Sequence, residues 1–366
     1  MLSFLFCVLG GAIRVAVLDT GLGPRAGCCN LTPSMKENYI ADLARLEENH
    51  TIDSHYLVLS KQQRTTRTAK PYLSLILGDN SGQIEARVWD PTDTRIAADF
   101  AKGDVIKVRA AVSKFEGVLQ LKIERLRTLA DSEYQRADLL PATTYSIDEL
   151  WQKLEAAVAS FTDPDLQRLI TAVLADRVVR EAFMEAPAAK QLHHAWLGGL
   201  LEHVVSLIGL ADRVVPHYPM LMRDLVLTGV ILHDIGKIRE LAWTTGFEYT
   251  LEGQLLGHIQ IGASLVEQTI DSLFDFPPRL KTLVLHMILS HHGKLEFGSP
   301  KLPMIPEALM LNFLDDMDAK MQTLASEFQK AARQGKAADE MTDRIWALDQ
   351  RTMLNSRAWL QGDANK

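Results

Sequence analysis

Seven positions in the second half of the chain place imidazoles and carboxylates in apolar surroundings. They are His203 in LLEHVV, His233 and Asp234 in ILHDIGK, His258 in LLGHIQIG, His291 and His292 in LSHHG, and Asp315 in NFLDDMDAK. Burying an imidazole beside a carboxylate costs several kcal/mol unless something binds both. A single such pair is satisfied by a hydrogen bond inside a core. A whole set of them in one helical region points instead to a shared metal centre. The three cysteines, Cys7, Cys28 and Cys29, all lie near the start of the chain, so no thiolate is at hand. Imidazole mixed with carboxylate suits Mn, Fe, Co or Zn rather than Ca or a thiolate zinc site.

Spacing constrains how the donors meet. His233 and Asp234 point about 100° apart on a helix, so both can face ions only where the helix ends, an end that Gly236 suggests. Gly293 has the same place after His291-His292. His194 precedes His203 by nine residues, about 180° around a continuous helix, so a shared site requires a break at Gly198-Gly199. His194 then either packs, supports a ligand or meets a phosphate. Asp318 shares a helix face with Asp315 and is either a ligand or a supporting group, while His286 reads as structural. Lys237 either caps its helix or neutralises a phosphate oxygen. Lys294, Ser299 and Lys301 could form part of a substrate rim.

These side chains need a helical scaffold, and the pattern supplies one. Ser146 followed by Glu149 forms a capping box ahead of Leu150, Leu154 and Val158, and three-four apolar spacing continues to about residue 330. Before it, Tyr56–Ser60, Tyr72–Leu77, Ile84–Val88, Asp104–Ala111 and Leu119–Ile123 read as short strands separated by turn residues. Five strands at this spacing predict a small antiparallel β-barrel of the OB type. The fold class is therefore multidomain, α and β: an N-terminal OB-fold barrel (50–130), a polar linker (131–147), an all-α domain (148–330) and a helical tail (331–366). In SKQQRTTRTAK, Lys61, Arg64, Arg67 and Lys70 occupy one expected loop without an acidic residue, suited to a phosphate backbone. Tyr72, Trp89 and Phe115 could offer stacking platforms beside it. A net charge of −7 means that any nucleic-acid contact must use such a local basic patch.

Residues 1–34 look foreign to the rest. Their apolar run, Leu2–Ile13, is too short to span a bilayer and lacks the positive charge of a signal peptide. Met35 opens a credible soluble start in MKENYIADL, which reads as a misassigned upstream codon, with export or anchoring as the alternative. The absence of cysteine after residue 29 fits a reducing cytoplasm.

The order H…HD…H…HH…D on helices resembles the HD superfamily of metal-dependent phosphohydrolases. EAPAAKQLHHAWLGGLLEHV, ILHDIGK, LEGQLLGHIQIG, LSHHGKLEFGSPKLP and LDDMDAKM together resemble the YhaM-type 3′–5′ exoribonucleases, over about residues 50–350. That resemblance implies an OB-type nucleic-acid-binding domain before an HD domain. It implies metal ligation by His203, His233, Asp234, His258, His291 and Asp315, with His292 binding a second ion or the substrate phosphate. It further implies a divalent ion, Mn²⁺ first among Co²⁺, Fe²⁺ and Zn²⁺, and cleavage of single-stranded RNA, with DNA left open, to nucleoside 5′-monophosphates. His233, Asp234 and Lys237 would then do the catalytic work, in a cytoplasmic enzyme with no membrane partner. One rival is an HD phosphohydrolase acting on free nucleotides, for which a basic barrel is superfluous. Another, a single-strand-binding protein with a dead helical domain, fits poorly with a full set of ligands. A cyclic-dinucleotide phosphodiesterase is disfavoured because GKLEFGSP lacks a Gly-Tyr-Pro signature after the paired histidines.

Overall fold

The computed structural model describes residues 36–362, apart from 67, 98, 116, 191–193, 245 and 338. Arg67, His193 and the whole segment 1–34 thus lie outside the described residues, as do the expectations placed on them.

Alternating apolar residues build the first unit. After a single helical turn (α1, Ile40–Leu43), five strands form a closed barrel: β1 (Thr51–Thr65), β2 (Pro71–Asp79), β3 (Gly82–Val88), β4 (Val105–Phe115) and β5 (Val118–Thr128). They follow the order β1-β2-β3-β5-β4, antiparallel except where β3 meets β5 in parallel and closes the barrel. Ile52, Tyr56, Leu75, Leu77, Ile106 and Leu121 are fully or almost fully buried inside it. The strands outrun the apolar runs that predict them. β1 continues to Thr65 because Lys61–Thr65 pairs with Pro71–Leu75 as a hairpin arm, where backbone pairing suffices without a core. Lys61 and Arg64 accordingly sit on a strand, not in a loop, while Lys70 lies in the connection to β2.

The linker is more than a spacer. Leu139 and Leu140 join Leu57 and Val105 of the barrel and Leu197 of the helical region in one apolar cluster. Arg136 adds an ion pair to Glu185 at 3.0 Å.

The second unit is helical: α2 (Ile147–Ala159), α3 (Pro164–Ala175), α4 (Arg177–Glu185), α5 (Gly199–Val214), α6 (Arg223–Leu232), α7 (Lys237–Glu240), α8 (Leu251–Ser272), α9 (Pro278–Ser290) and α10 (Pro306–Arg333). A two-residue hairpin, β6 (Leu241–Ala242) with β7 (Glu248–Tyr249), interrupts it between α7 and α8, so it is not strictly all-α. The Trp243 and Phe247 side chains of this hairpin reach the interdomain cluster, which explains a strand pair among helices. Side-chain caps start α2, α3, α4 and α8: Ser146 accepts from the Glu149 N–H, Asp163 from Asp165 and Leu166, Asp176 from Val178 and Val179, and Thr250 from Gly253. Asp163→Ala removes two of these bonds and should lower stability by about 1 kcal/mol. A thermal melt should read that as a fall of about 2–4 °C, and an unchanged melting temperature would show that water replaces the cap at no cost. α10 runs without a break across residue 330, and a further short helix, α11 (Ser356–Gly362), follows. Among the described residues no helix is long and apolar enough to cross a membrane.

Candidate metal centre

α6 is the central rod of the helical unit, with every residue from Asp224 to Leu232 buried. It ends where the polar pair begins: His233 takes the C-cap position and Asp234 follows in the turn. α9 repeats the device, ending at Ser290 with His291 as its C-cap and Gly293 in the left-handed region (φ 76°). At each end the imidazole turns back on its own helix. His233 Nδ1 donates to the Val230 carbonyl at 3.0 Å and His291 Nδ1 to that of Ile288 at 2.8 Å.

The other rings are held by the same logic. His292 Nδ1 donates to the Phe297 carbonyl at 2.7 Å. His258 follows a kink in α8 at Gly257 (φ 73°) and gives both its backbone N–H and its Nδ1–H to Glu240 Oε1, at 2.9 and 3.0 Å. His203 on α5 donates Nδ1–H to Asp318 Oδ2 at 2.9 Å. A carbonyl can only accept and an ionised carboxylate can only accept, so each of these five rings carries its proton on Nδ1. Each therefore turns Nε2 to its other side, where a neutral ring offers a lone pair.

Those lone pairs gather around two carboxylates. His203 Nε2 lies 3.2 Å from Asp315 Oδ1, and His233 Nε2 lies 3.3 Å from Asp234 Oδ2 and 3.9 Å from Asp315 Oδ1. On the other oxygen of Asp234, Oδ1, sit His258 Nε2 at 3.4 Å and His291 Nε2 at 3.7 Å. The donors form one cluster of His203, His233 and Asp315 and another of His258, His291 and His292, with Asp234 touching both, and His203 also belongs to a third group with His194 and Asp318. His233 Nε2, Asp234 Oδ1 and His258 Nε2 are buried without a hydrogen-bond partner. Lone-pair acceptors brought together in this way repel one another unless a cation fills the gap, and the donor chemistry fits a divalent metal.

The electrostatics agree. Burial alone would raise the Asp234 carboxyl, but Lys237 and His233 hold it well below the usual carboxylate range. Asp315 is likewise held low against its burial by His203 and His233. Burial and the neighbouring His233 push His291 well below the usual imidazole range, leaving it neutral as a ligand must be. Burial opposes protonation of His203, yet Asp315 and Asp318 overcome it and raise its pKa to about 9 in the absence of a metal.

Several residues with open readings take definite places. Lys237 is neither an exposed cap nor a free phosphate clamp: it donates to Asp234 Oδ2 at 2.6 Å from a buried position. Asp318 groups with His194 and His203. It accepts from Ser206 Oγ at 2.6 Å and lies 3.2 Å from His194 Nε2 while holding His203. Gly198 (φ 75°) ends the run before α5, so His194 reaches Asp318 from outside the helix. His286 is structural, accepting from the Met304 N–H at 2.9 Å. Lys294 is exposed and pairs with Glu296 at 3.4 Å, Ser299 is buried, and Lys301 is exposed.

Glu240 is the residue that sequence reasoning passed over. Asp318→Asn and Glu240→Gln each remove the carboxylate that fixes a ring, and each should weaken Mn²⁺ binding by about 10–100-fold. Calorimetric titration of the full-length protein checks this, and affinities equal to the parent's would deny both residues a positioning role.

On the barrel, Tyr72 and Trp89 stack with ring centroids 5.2 Å apart, and Trp89 and Phe115 are exposed. Arg87 lies between them, 5.7 Å from the Trp89 ring and 4.9 Å from that of Phe115. Lys61 is engaged elsewhere, donating to the Phe100 carbonyl at 2.6 Å, and Arg64 bonds Gln62 on its own strand.

Comparison with known proteins matches both units. Residues 200–320 fit the family model described as HD domain, and residues 57–129 the one described as OB-fold nucleic acid binding domain. The chain is 35% identical over 313 residues to the 3′-5′ exoribonuclease YhaM of Geobacillus sp. (strain WCH70), covering 85% of this chain and 93% of that one. It is 35% identical over 307 residues to the protein of the same name from Bacillus subtilis (strain 168), covering 84% and 95%.

Proposed function

The chain belongs to the YhaM family of 3′–5′ exoribonucleases, and from that premise we propose that it is a metal-dependent nuclease removing nucleoside 5′-monophosphates from the 3′ end of single-stranded RNA. The observation that carries the reading is the convergence of His203, His233, Asp234, His258, His291 and Asp315 on a buried region where His233 Nε2, Asp234 Oδ1 and His258 Nε2 lack hydrogen-bond partners. These six are the residues that would hold a divalent ion, Mn²⁺ before Co²⁺, Fe²⁺ or Zn²⁺, and Asp234 contacts both donor clusters. A bound divalent ion lowers the pKa of water and polarises the phosphodiester.

The chain's own residues prepare that chemistry. Val230, Ile288 and Phe297 carbonyls and the Glu240 and Asp318 carboxylates lock every ring in one tautomer before the ions arrive, so little reorganisation remains for the reaction. Lys237 holds Asp234 ionised and oriented. His292, less buried than His291, faces His258 at a ring distance of 5.1 Å and is the group best placed to meet the substrate phosphate. The barrel supplies single-strand affinity through Tyr72, Trp89 and Phe115 with Arg87, and Arg64 and Lys70 extend it to the backbone. The reducing cytoplasm is the proposed compartment.

The test incubates the full-length protein and Mn²⁺ with 5′-labelled single-stranded RNA, matched DNA and free nucleotides. A metal-dependent ladder shortening from the 3′ end is expected, and the DNA lane ranks the sugar preference. Intact strands alongside consumed nucleotides would overturn this reading in favour of a small-molecule phosphohydrolase.

A further inference from the structure

Strand register places like charges opposite one another three times on the outside of the barrel. Arg87 of β3 is the partner of Lys122 of β5, Arg109 of β4 faces Arg125 of β5, and Lys107 faces Arg127. Directly opposed like charges destabilise a sheet. Three such pairs are therefore a standing cost in a chain whose net charge is −7.

Carboxylates answer the charges only at the margins. Asp53 lies 3.3 Å from Lys107 and Glu133 2.8 Å from Arg127, and Glu85 is 3.9 Å from Arg87. Among the described residues no carboxylate lies within 4 Å of Arg109, Arg125 or Lys122, and all three are exposed. Arg95, Lys107, Arg109, Arg125 and Arg127 line one concavity together with a single carboxylate, Asp53, the register partner of Arg109. At its other end the row of cations runs into Arg87, which sits between the Trp89 and Phe115 rings.

We propose that the β4–β5 face is a phosphate track for the single strand whose bases stack on Tyr72 and Trp89. The strand leaves the aromatic platform at Arg87 and Lys122, and its backbone follows β5 past Arg109 and Arg125 towards Lys107 and Arg127. The physical argument is that Arg109, Arg125 and Lys122 have no carboxylate within 4 Å among the described residues, and a polyanion laid along them relieves their repulsion. Continuity with the aromatic platform identifies that polyanion as nucleic acid. This inference rests on the reading of the barrel as a single-strand-binding module. It adds a second surface, distinct from the loop 61–70, and gives the enzyme a grip on RNA well upstream of the cut.

The experiment measures fluorescence anisotropy of a labelled single-stranded RNA with the full-length protein, without added metal, across a salt series. Arg109→Gln/Arg125→Gln removes two cations without adding bulk. The slope of log affinity against log salt should flatten by about 1.4, at about 0.7 per phosphate contact on a single strand. Affinity at low salt should fall about tenfold, while the melting temperature holds or rises because a repulsive pair is gone. Arg109→Lys/Arg125→Lys keeps both charges and should keep the slope, which separates loss of contact from loss of fold. Trp89→Ala is the control on the platform, weakening binding with little change in slope. If the Gln variant binds as the parent does while Trp89→Ala weakens binding, the track is overturned and the face belongs to an acidic protein partner. If Trp89→Ala leaves binding untouched as well, the single-strand-binding reading of the barrel fails together with the track.

Discussion

Asp234→Asn should lower nuclease turnover by at least about 10³-fold while the protein stays folded. Asp234 touches both donor clusters, through Oδ2 to His233 and through Oδ1 to His258 and His291. An amide keeps the shape but offers a single neutral oxygen, and it can turn its NH₂ towards the lone pairs it must share a cation with. Losing the several kcal/mol of charge stabilisation that a metal supplies, about 4 kcal/mol, corresponds to three decades in rate. A complication arises from Lys237, whose buried ammonium donates to Asp234 Oδ2. Breaking a buried pair costs about 3–5 kcal/mol because the remaining charge is left uncompensated. Asp234→Asn alone should therefore also melt earlier. Asp234→Asn/Lys237→Met removes the stranded charge and should recover most of the stability and none of the activity. Single-turnover kinetics with 5′-labelled RNA and a thermal melt read the two effects separately. Activity within tenfold of the parent in the double variant would sink the assignment of Asp234 as a shared ligand.

That Asp234 stands out in the sequence at all has a simple cause. A carboxylate and an imidazole at the end of an otherwise apolar helix are out of place, and only a site explains them. Glu240 and Asp318 do comparable work and leave no such trace. Glu240 stands beside Arg239 and Asp318 near other acidic residues, and their ring partners are 18 and 115 positions away in the chain. Only the packing of α7 on α8, or of α10 on α5, makes either of them special. The barrel shows the same boundary. Lys61, Arg64 and Lys70 attract notice because they crowd one stretch of sequence, yet Lys61 turns out to bind the Phe100 carbonyl. Lys107 and Arg109 of β4 and Arg125 and Arg127 of β5 sit two residues apart, as on any solvated strand face, and become a charged row only through cross-strand register. His194 is a third case. Its distance from His203 on an ideal helix argues against a shared site, and the left-handed Gly198 removes the helix on which that argument depends.

Gly236 carries the most instructive difference, and a strong expected effect. The sequence suggests a glycine chosen for a left-handed turn after the polar pair, but its φ is −65°, ordinary right-handed backbone that any residue adopts. Gly293 after His291-His292 does take φ 76°, so the two similar motifs end their helices for different physical reasons. At Gly236 the constraint is space: an added Cβ would lie 2.0 Å from the His258 carbonyl oxygen and 2.6 Å from the Gly262 nitrogen. Gly253 is equally confined, with the Glu240 carbonyl oxygen 2.2 Å from where its Cβ would be. These glycines let α7 and α8 meet backbone to backbone, which is what brings Glu240 to the His258 ring and His258 to Asp234. Because the clash is with main chain, no rotamer change relieves it, and α8 must move away. Gly236→Ala should therefore cost about 3 kcal/mol or more, and it should weaken Mn²⁺ binding at least as much as Glu240→Gln, since ring and carboxylate separate together. Gly335→Ala is the matched control. Its φ of 75° makes alanine strained, but nothing lies within 4 Å of the new methyl. It should cost about 1 kcal/mol and leave metal affinity unchanged. If thermal melts and metal titrations place the two variants together, the close approach of α7 and α8 does not position His258.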